Sequence, residues 1–493
     1  MKKGFDNQKY ITLQAENIRK RIDQFGGKLY LEFGGKLFDD YHASRVLPGF
    51  EPDTKIRMLQ SMADDVEIII AINANHIEKS KMRGDLGITY DEDVLRLMDI
   101  FRGMGFYVSS VVINQYANQP AADVFRKRLT ALGVASYLHY PIAGYPTDID
   151  FIVSDEGMGK NEYVPTTRKL CVVTAPGPGS GKMATCLSQL YNEHARGVNA
   201  GYAKYETFPI WNLPLEHPVN IAYEAATVDL DDANIIDPWH LSAYGETTVN
   251  YNRDVEIFPV LRAMMEKIAG ESPYQSPTDM GVNMAGFGIV DDEACREAAN
   301  MEIVRRYFKT AVNAKRTGVG DDQVAKLELL MEKAGISATL SPTRSAALWK
   351  EETSGMPAGA LELPDGTIVT GKTSDLLGAA SSLLLNAAKK LAGIDDETYI
   401  IGDAALEPIC HLKTEHLGSK NPRLHSDEML IALSVSAATN PLAEEAIVAL
   451  EKLRGCDAFF SVIVGSADER IYRSLGINLC CEPKYEQRRY YHK

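Results

Sequence analysis

Long apolar runs and C-x-x-C cysteine pairs are both missing from the 493-residue sequence. No stretch is apolar over the length that a membrane-spanning helix needs. The first residues carry two lysines with no apolar stretch after them, unlike a secretory signal. The seven cysteines are scattered and form no C-x-x-C pair, which is typical of reduced thiols. We therefore expect a cytoplasmic protein that does not bind a membrane.

The sequence also has no excess of positive charge. Lys and Arg total 52 against 67 Asp and Glu, so the formal net charge is −15. A surface of this sign argues against nucleic-acid binding but allows a local basic pocket. The hydrophobic content of 45% is ample for several cores, and the chain length predicts roughly two to four domains.

The most informative stretch covers residues 169–191 and reads KLCVVTAPGPGSGKMATCLSQLY. An apolar run with strand character enters a glycine-rich loop, and a helical pattern leaves it. This is the layout of a phosphate-binding loop, in which backbone N–H groups and the positive end of a helix dipole face an anion. The residues that we predict to bind a phosphorylated ligand in this loop are Gly177, Gly179, Ser180, Gly181, Lys182 and Thr185.

The loop departs from the G-x-x-x-x-G-K-[ST] pattern at two positions. Pro176 replaces the first glycine, and Met183 stands where a hydroxyl would hold Mg²⁺. A thioether is a poor ligand for a hard cation, so Ser180 or Thr185 would have to supply the oxygen. The alternative interpretation is a plain tight turn between a strand and a helix.

Strand patterns alternate with helical patterns in front of this loop. The predicted strands are 28–33, 66–72, 107–113, 134–139 and 149–153. Such continuous apolar strands predict a parallel sheet covered on both faces, with ligands at the carboxyl ends of its strands. The predicted fold is multi-domain α/β: a mostly parallel three-layer domain with a P-loop-like turn (1–245), a helical domain (246–341) and a C-terminal mixed α/β domain with a hairpin (342–493).

Charged residues follow several predicted strands. Lys36 and Arg45 come after a glycine pair and would complete an anion cage, although a glycine turn with a solvated charged face is the alternative. Asp148 and Asp150 lie two residues apart at the start of the strand 149–153, so both would face one side of the sheet and share a divalent cation. The alternative is that Asp148 caps a turn and Asp150 is solvated.

The segment 201–245 is rich in aromatic residues and proline, which is typical of long loops that build a substrate pocket or an interface. Asp229, together with Asp231 and Asp232, would supply a carboxylate that holds Mg²⁺ beside the phosphates. Helix capping or solvation explains these aspartates equally well.

The last third of the sequence predicts a mixed sheet. ALELPDGTIVTGK is a strong hairpin signal, and strands are predicted at 398–401, 458–464 and 477–479. Cys410, His411, His416 and His425 lie near one another in sequence without the spacing of a zinc site, so we do not expect zinc.

Five runs together resemble one bacterial family, the domain-of-unknown-function family 1846. They are LYLEFGGKLFDDYHASRVLPGF, INANHIEKSKMRGDLGITYDEDVLRL, YPIAGYPTDIDFIVSDEG, TAPGPGSGKMATCLSQLY and RLHSDEMLIALSVSAATNPL. The resemblance covers essentially the whole chain. It implies a cytoplasmic bacterial protein with several α/β and helical parts and the same G-S-G-K core, but it implies no activity.

The sequence therefore favours a protein that binds a nucleotide or another small phosphorylated molecule, with phosphoryl transfer or hydrolysis as the leading chemistry. In this hypothesis Lys182, Asp148 and Asp150 are catalytic, and Asp148, Asp150 and Asp229 hold Mg²⁺. We also expect a homo-oligomer. The alternative is a non-catalytic binding or assembly protein that uses the loop as a structural anion site.

Overall fold

The computed structural model describes residues 2–35, 37–38, 40–83 and 86–486. The chain divides after Ala299 into an N-terminal unit and a C-terminal unit. Among the described residues, no helix combines the length and the apolar character needed to cross a membrane. The finer division into domains 1–245, 246–341 and 342–493 stays a prediction.

The N-terminal unit is built on a seven-stranded parallel sheet with the order β11-β8-β1-β7-β2-β5-β6. Every residue of β1 and β7 is buried, and because neighbouring residues of a strand face opposite sides, both faces of the sheet are covered there. The strands of this unit are β1 (Leu29–Phe33), β2 (Val66–Asn73), β3 (Met82–Arg83), β4 (Ile88–Thr89), β5 (Tyr107–Asn114), β6 (Ala135–Leu138), β7 (Leu170–Thr174), β8 (Gly201–Tyr205), β9 (Asn234–Ile236), β10 (Val249–Tyr251) and β11 (Gly281–Val282).

The helices of this unit include those that connect the strands of the sheet. They are α1 (Asn7–Gln24), α2 (Tyr41–Val46), α3 (Thr54–Gln60), α4 (Ala74–Glu78), α5 (Tyr90–Gly103), α6 (Pro120–Ala131), α7 (Ile149–Ile152), α8 (Lys182–Ala195), α9 (Pro218–Ala226), α10 (Pro238–Tyr244), α11 (Asn252–Ala269), α12 (Pro277–Met280), α13 (Ala285–Gly288) and α14 (Asp292–Thr317), which continues into the C-terminal unit. The predicted α/β class with a parallel sheet is confirmed.

Two predictions about the strands of this sheet are wrong. The predicted strand 149–153 is instead the short helix α7 (Ile149–Ile152), because the side chain of Asp148 accepts a hydrogen bond from the backbone N–H of Phe151 and caps a helical turn. The segment 201–245, predicted as loops, begins with β8, which pairs with β1 along its whole length. The five residues GYAKY are too few to separate a strand from a loop by pattern alone.

The C-terminal unit contains a four-stranded mixed sheet with the order β13-β12-β14-β15. Its strands are β12 (Ala358–Glu362), β13 (Ile368–Lys372), β14 (Asp457–Phe460) and β15 (Asn478–Cys481). The predicted hairpin is confirmed as the antiparallel pair of β12 and β13. The helices that surround this sheet are α15 (Asp321–Lys333), α16 (Pro342–Ser354), α17 (Ala379–Leu391), α18 (Asp403–His411), α19 (Ser426–Ala437), α20 (Pro441–Ala449) and α21 (Ser466–Ser474).

The predicted strand at 398–401 is wrong. The backbone around it bonds to side chains near the end of α19 rather than to a strand: Asn440 donates to the carbonyl of Ile400, and Gly402 donates to the hydroxyl of Ser436. These bonds pair the backbone N–H and C=O groups that would otherwise bond to a neighbouring strand.

Buried polar side chains fix the position of α8 against the segment in front of β7. Gln189 is fully buried, donates to the carbonyl of Val164 at 2.7 Å and accepts from its N–H at 2.9 Å. Glu193, one turn later, accepts from Lys28 at 2.5 Å and from Tyr30 at 2.6 Å. The start of α8, which carries the glycine loop, is therefore held on a rigid frame.

Truncation of Gln189 tests this frame. Gln189→Ala leaves the N–H and C=O groups of Val164 unpaired in the interior, so we expect the free energy of unfolding to fall by about 2 kcal/mol. The control is Gln60→Ala at the exposed end of α3, for which we expect a change within about 0.5 kcal/mol. Urea unfolding measures both values, and equal losses would show that Gln189 does not hold α8.

Candidate functional site

The strand order creates a crevice between β1 and β7. From β1 the chain leads to β2 on one side, and from β7 it leads through α8 to β8 on the other side. Because such crossover connections are right-handed, these two connections lie on opposite faces of the sheet. Two adjacent strands whose connections lie on opposite faces of the sheet form a topological switch point. Ligands of such sheets bind there, at the carboxyl ends of the strands.

A cleft of about 540 Å³ lies at this switch point. Gly34 and Gly35 line it after β1, and residues 174–178 line it at the end of β7 and in the loop that follows. Lys182, the first residue of α8, completes this side of the wall. The glycine loop and the glycine pair that follows β1, which are far apart in sequence, therefore form one surface.

Side chains at the ends of β2 and β5 hold the glycine loop from below. Asn73 donates to the carbonyl of Gly179 at 3.2 Å, and Asn114 donates to the carbonyl of Ser180 at 3.1 Å. The C=O and the following N–H of a trans peptide point in opposite directions. The N–H groups of Ser180 and Gly181 therefore point away from the ends of β2 and β5.

The start of α8 lacks the groups that normally satisfy a helix terminus. Gly181 precedes the helix in the left-handed conformation, with φ of +89°, and provides no side-chain cap. Across the described residues, the backbone N–H groups of 179–183 donate to no protein acceptor. Unpaired N–H groups at the positive end of a helix are an anion-binding arrangement.

Both hydroxyls of the predicted loop are engaged within the loop. Ser180 donates to the carbonyl of Gly177 at 2.8 Å. Thr185 donates to the carbonyl of Gly181 at 2.9 Å and accepts from Asn114 at 3.0 Å. Both side chains are buried, so these oxygens stabilise the turn and do not face the cleft.

Of the predicted loop residues, Gly177 and Lys182 are the ones that line the cleft. Within the described part of the chain, Lys182 forms no ion pair. Its ammonium group is therefore available to an anion. Gly179 and Gly181 shape the turn, since both have a positive φ that favours glycine.

The other predicted residues are not assembled at the cleft. Lys36 lies outside the described residues, so its role stays a prediction. Arg45 lies in the last turn of α2 and is not among the described residues that line the cleft. Asp229 is exposed in a turn of 3-10 helix, Val228–Leu230.

Asp148 and Asp150 do not share one side of a strand, because α7 replaces the predicted strand. Asp148 caps this helix, and Asp150 is exposed and pairs with Lys267 near the end of α11. The beginning of α11 carries Asp254, which contacts Lys204 at the cleft. The helix from Asp254 to Lys267 spans about 20 Å, which places Asp150 at the far end of α11. The structure therefore does not bring Asp150 to the cleft.

Metal-ligand groups are absent from the described residues. No cluster of three or more His, Cys, Asp and Glu side chains is placed to hold a metal ion in the described ranges. Asp148, Asp150 and Asp229 do not form such a group.

The sequence patterns did not predict the charged cluster around Lys204. Lys204 on β8 lines the cleft, contacts Asp254, and lies 3.0 Å from Glu206. Burial lowers the pKa of Lys204, but the two carboxylates outweigh it and raise the pKa above its ordinary value. Burial raises the pKa of Glu206, despite the opposing charge of Lys204. The lysine is thus held as a cation.

Asp232 is the aspartate of the 229–232 group that reaches the cleft. It is buried and accepts from Arg253 at 2.8 Å. Burial raises the pKa of Asp232, and Arg253 opposes this effect. Arg253 also lines the cleft, together with the aromatic rings of Phe38, Tyr90, Tyr223 and Tyr251. A lysine inside an otherwise apolar strand, as in GYAKY, was the signal available in the sequence.

The fold defines an α/β protein with a cleft at the switch point of a parallel sheet. Two family models match the chain, "Domain of unknown function DUF1846, N-terminal" over residues 3–335 and "Domain of unknown function DUF1846, C-terminal" over residues 339–491. The chain belongs to this family, which confirms the resemblance seen in the sequence.

Curated bacterial relatives are similar along their whole length. The chain is 60% identical to a UPF0371 protein of Corynebacterium diphtheriae over 99% of both chains. It is 58% identical to a UPF0371 protein of Streptococcus sanguinis and 57% identical to one of Streptococcus pneumoniae, over 100% of both chains in each case. The names of these relatives state no activity.

A pair of glycines tests whether the loop depends on close packing at Asn114. Gly181 has φ of +89°, and a Cβ at this position would lie 2.7 Å from the Cγ of Asn114. Gly270, after α11, has φ of +87° with no atom within 4 Å of such a Cβ. We expect Gly270→Ala to cost about 1 kcal/mol for the left-handed backbone, and Gly181→Ala to cost about 1–3 kcal/mol more for the overlap.

Urea unfolding of both glycine variants measures this difference. Because the two positions share nearly the same φ, the difference isolates the contact with Asn114. Equal losses in the free energy of unfolding would show that the loop rearranges without a measurable penalty and does not depend on this contact.

Proposed function

We propose that the protein binds a nucleotide or another phosphorylated small molecule at the atypical glycine loop. The observation that supports this most is the uncapped start of α8 with its unpaired N–H groups at the switch point. In the proposal these N–H groups hold a phosphate, and Lys182 neutralises part of its charge as a point charge.

The cleft suits an organic phosphate better than a bare ion. Its volume of about 540 Å³ lies within the range of small-molecule sites. Aromatic rings along the wall would pack against a flat or apolar moiety, while Lys204 and Arg253, each paired with a carboxylate, also line the cleft. The small phosphorylated ligand predicted from the sequence therefore remains the proposal.

Phosphoryl transfer or hydrolysis is the catalytic form of this proposal. Lys182 would stabilise charge that develops on the transferred group, and Mg²⁺ would arrive with a nucleotide. Mg²⁺ commonly binds through one or two carboxylates plus phosphate oxygens. Among the carboxylates, Glu32 and Asp232 line the cleft, whereas Asp150 lies away from it and Asp148 and Asp229 are not part of the wall.

A non-catalytic site is favoured by one specific observation. The hydroxyls of Ser180 and Thr185, which would replace the missing Mg²⁺ ligand at Met183, are engaged in the loop itself. In this second proposal the loop holds a phosphorylated ligand for structural or assembly purposes. The expected homo-oligomer and the cytoplasmic location stay predictions.

Calorimetric titration with ATP, GTP, sugar phosphates and coenzyme A, each with and without Mg²⁺, tests the binding proposal. We expect at least one of them to bind, and Lys182→Ala to weaken that binding about tenfold or more, since a charge-assisted contact is worth about 1.5–3 kcal/mol. The control is Lys169→Ala, an exposed lysine at the amino end of β7, away from the carboxyl ends of the strands.

Absence of binding to every compound, or binding that Lys182→Ala leaves unchanged, would overturn the proposal. Phosphorus NMR of each ligand incubated with the protein separates the two forms. New phosphate signals that require Lys182 support catalysis, and unchanged spectra with retained binding support a non-catalytic site.

A further inference from the structure

A second cleft, of about 550 Å³, lies entirely within the C-terminal unit. The first residues of α17 and α21 line it, together with the residue in front of α19. Two arginines, Arg316 near the end of α14 and Arg423, also line this cleft. The function proposed above makes no use of this cleft.

A histidine and a buried aspartate form an oriented pair in this wall. The Nδ1 atom of His425 lies 3.2 Å from Oδ2 of Asp468. The other carboxylate oxygen accepts from the N–H and from the hydroxyl of Ser426, both at 2.7 Å. An ionised carboxylate only accepts hydrogen bonds, so Nδ1 of His425 is the donor in this pair. Its second nitrogen, Nε2, is then available to a ligand.

The exposure of the two side chains agrees with an aspartate that orients the ring and a histidine that is accessible to a ligand. The side chain of Asp468 is 10% exposed, whereas that of His425 is 42% exposed and lines the cleft. A carboxylate held on three donors behind an imidazole is the arrangement that fixes the tautomer and the ring orientation of a functional histidine.

Two arginines line the same cleft as His425. Arg316 is held by Glu469 at 2.9 Å and by the carbonyl of Val464 at 3.1 Å. Arg423 is held by the carbonyl of Ser374 at 2.8 Å and lies 4.0 Å from Glu486. A guanidinium group has several N–H donors, so these bonds position each arginine and still leave donors for a ligand.

Two helix termini add to this charge. α17 begins after Gly378 and α21 begins after Gly465, and neither has a side-chain cap. Residues of both first turns line the cleft, so the positive ends of two helices face the same space as the histidine and the arginines. Of the acidic side chains in the wall, Asp468 is already bonded to His425 and Ser426, and Glu486 lies beside Arg423.

We propose that this cleft is a second binding site, for a small dianion such as a phosphate monoester. In this site His425 donates Nε2–H to the anion, Asp468 keeps the imidazole oriented, and Arg316 and Arg423 bind the remaining oxygens. The site belongs to the C-terminal unit alone and does not depend on the glycine loop.

The proposal gives binding a defined pH dependence. The bond to Asp468 raises the pKa of His425 above its ordinary value, against an opposing effect of burial. The charge of Glu428 also raises this pKa and that of Lys413 lowers it, while Arg316, Arg423 and Glu486 share the wall with the ring. The imidazolium is present below the raised pKa and is lost above it, so anion binding weakens as the pH increases through that pKa.

Calorimetric titration of the full-length protein with sodium sulfate tests the site, because sulfate keeps its charge between about pH 6 and about pH 9, where histidine titrates. The titrated protein carries Lys182→Ala, which removes the contribution of that lysine to sulfate binding. The result therefore does not depend on whether the glycine-loop proposal is correct. We expect sulfate to bind about tenfold more weakly at the upper pH than at the lower one.

Three variants in the same background complete the test. His425→Gln should bind sulfate about tenfold more weakly at the lower pH and lose the pH dependence, and Arg316→Gln should weaken binding but keep the pH dependence. His194→Gln, in the last turn of α8, is the control and should change neither. Arg316 is partly exposed, so its variant remains informative if His425→Gln does not fold.

Three outcomes would overturn the proposal: no sulfate binding, pH-independent binding, or binding that both His425→Gln and Arg316→Gln leave unchanged. The last outcome would identify a surface association of the ion elsewhere on the protein.

Discussion

The hydrogen bonds of Asn114 to the glycine loop are the interaction on which the candidate site depends. This side chain lies at the end of β5, is buried, and donates both to the carbonyl of Ser180 and to the hydroxyl of Thr185. It also occupies the space that a Cβ on residue 181 would need. One buried amide therefore fixes the turn, requires glycine at position 181, and leaves the N–H groups at the start of α8 without protein partners.

The sheet gives this loop its location. Because β7 enters between β1 and β2, the loop that follows β7 lies beside the glycine pair that follows β1. The same order brings β8 to the other side of β1, so that Lys204 lines the same cleft as the loop. A phosphate would then meet N–H groups and Lys182 on one side and a paired lysine on the other, without a loop hydroxyl to hold a metal. This chemistry favours an anion site over an ordinary Mg²⁺-nucleotide loop.

Local patterns in the sequence predicted the elements of this site better than their arrangement. The strand, the loop and the helix around Lys182 follow from apolar periodicity and from glycine chemistry, and the hairpin of β12 and β13 follows from its turn residues. The order of strands is not encoded in local pattern, so the partners Asn73 and Asn114 and the lysine of β8 were not assigned to the loop. The segment after Asp148 shows the limit most clearly, because one capping bond to Phe151 turned a strand-like apolar run into α7 and changed where Asp150 points. Ser180 and Thr185 were predicted as ligand oxygens because the pattern does not reveal whether a hydroxyl faces outward or back into its own loop.

A crystal structure of the protein grown with its tightest-binding phosphorylated compound tests most directly whether the backbone N–H groups of the glycine loop bind a phosphate. We expect phosphate density within hydrogen-bonding distance of the N–H groups of residues 179–182 and of the Lys182 ammonium, with the remainder of the molecule in the cleft between β1 and β7. A ligand bound with its phosphate elsewhere on the N-terminal unit, while the N–H groups at the start of α8 face only solvent, would contradict it.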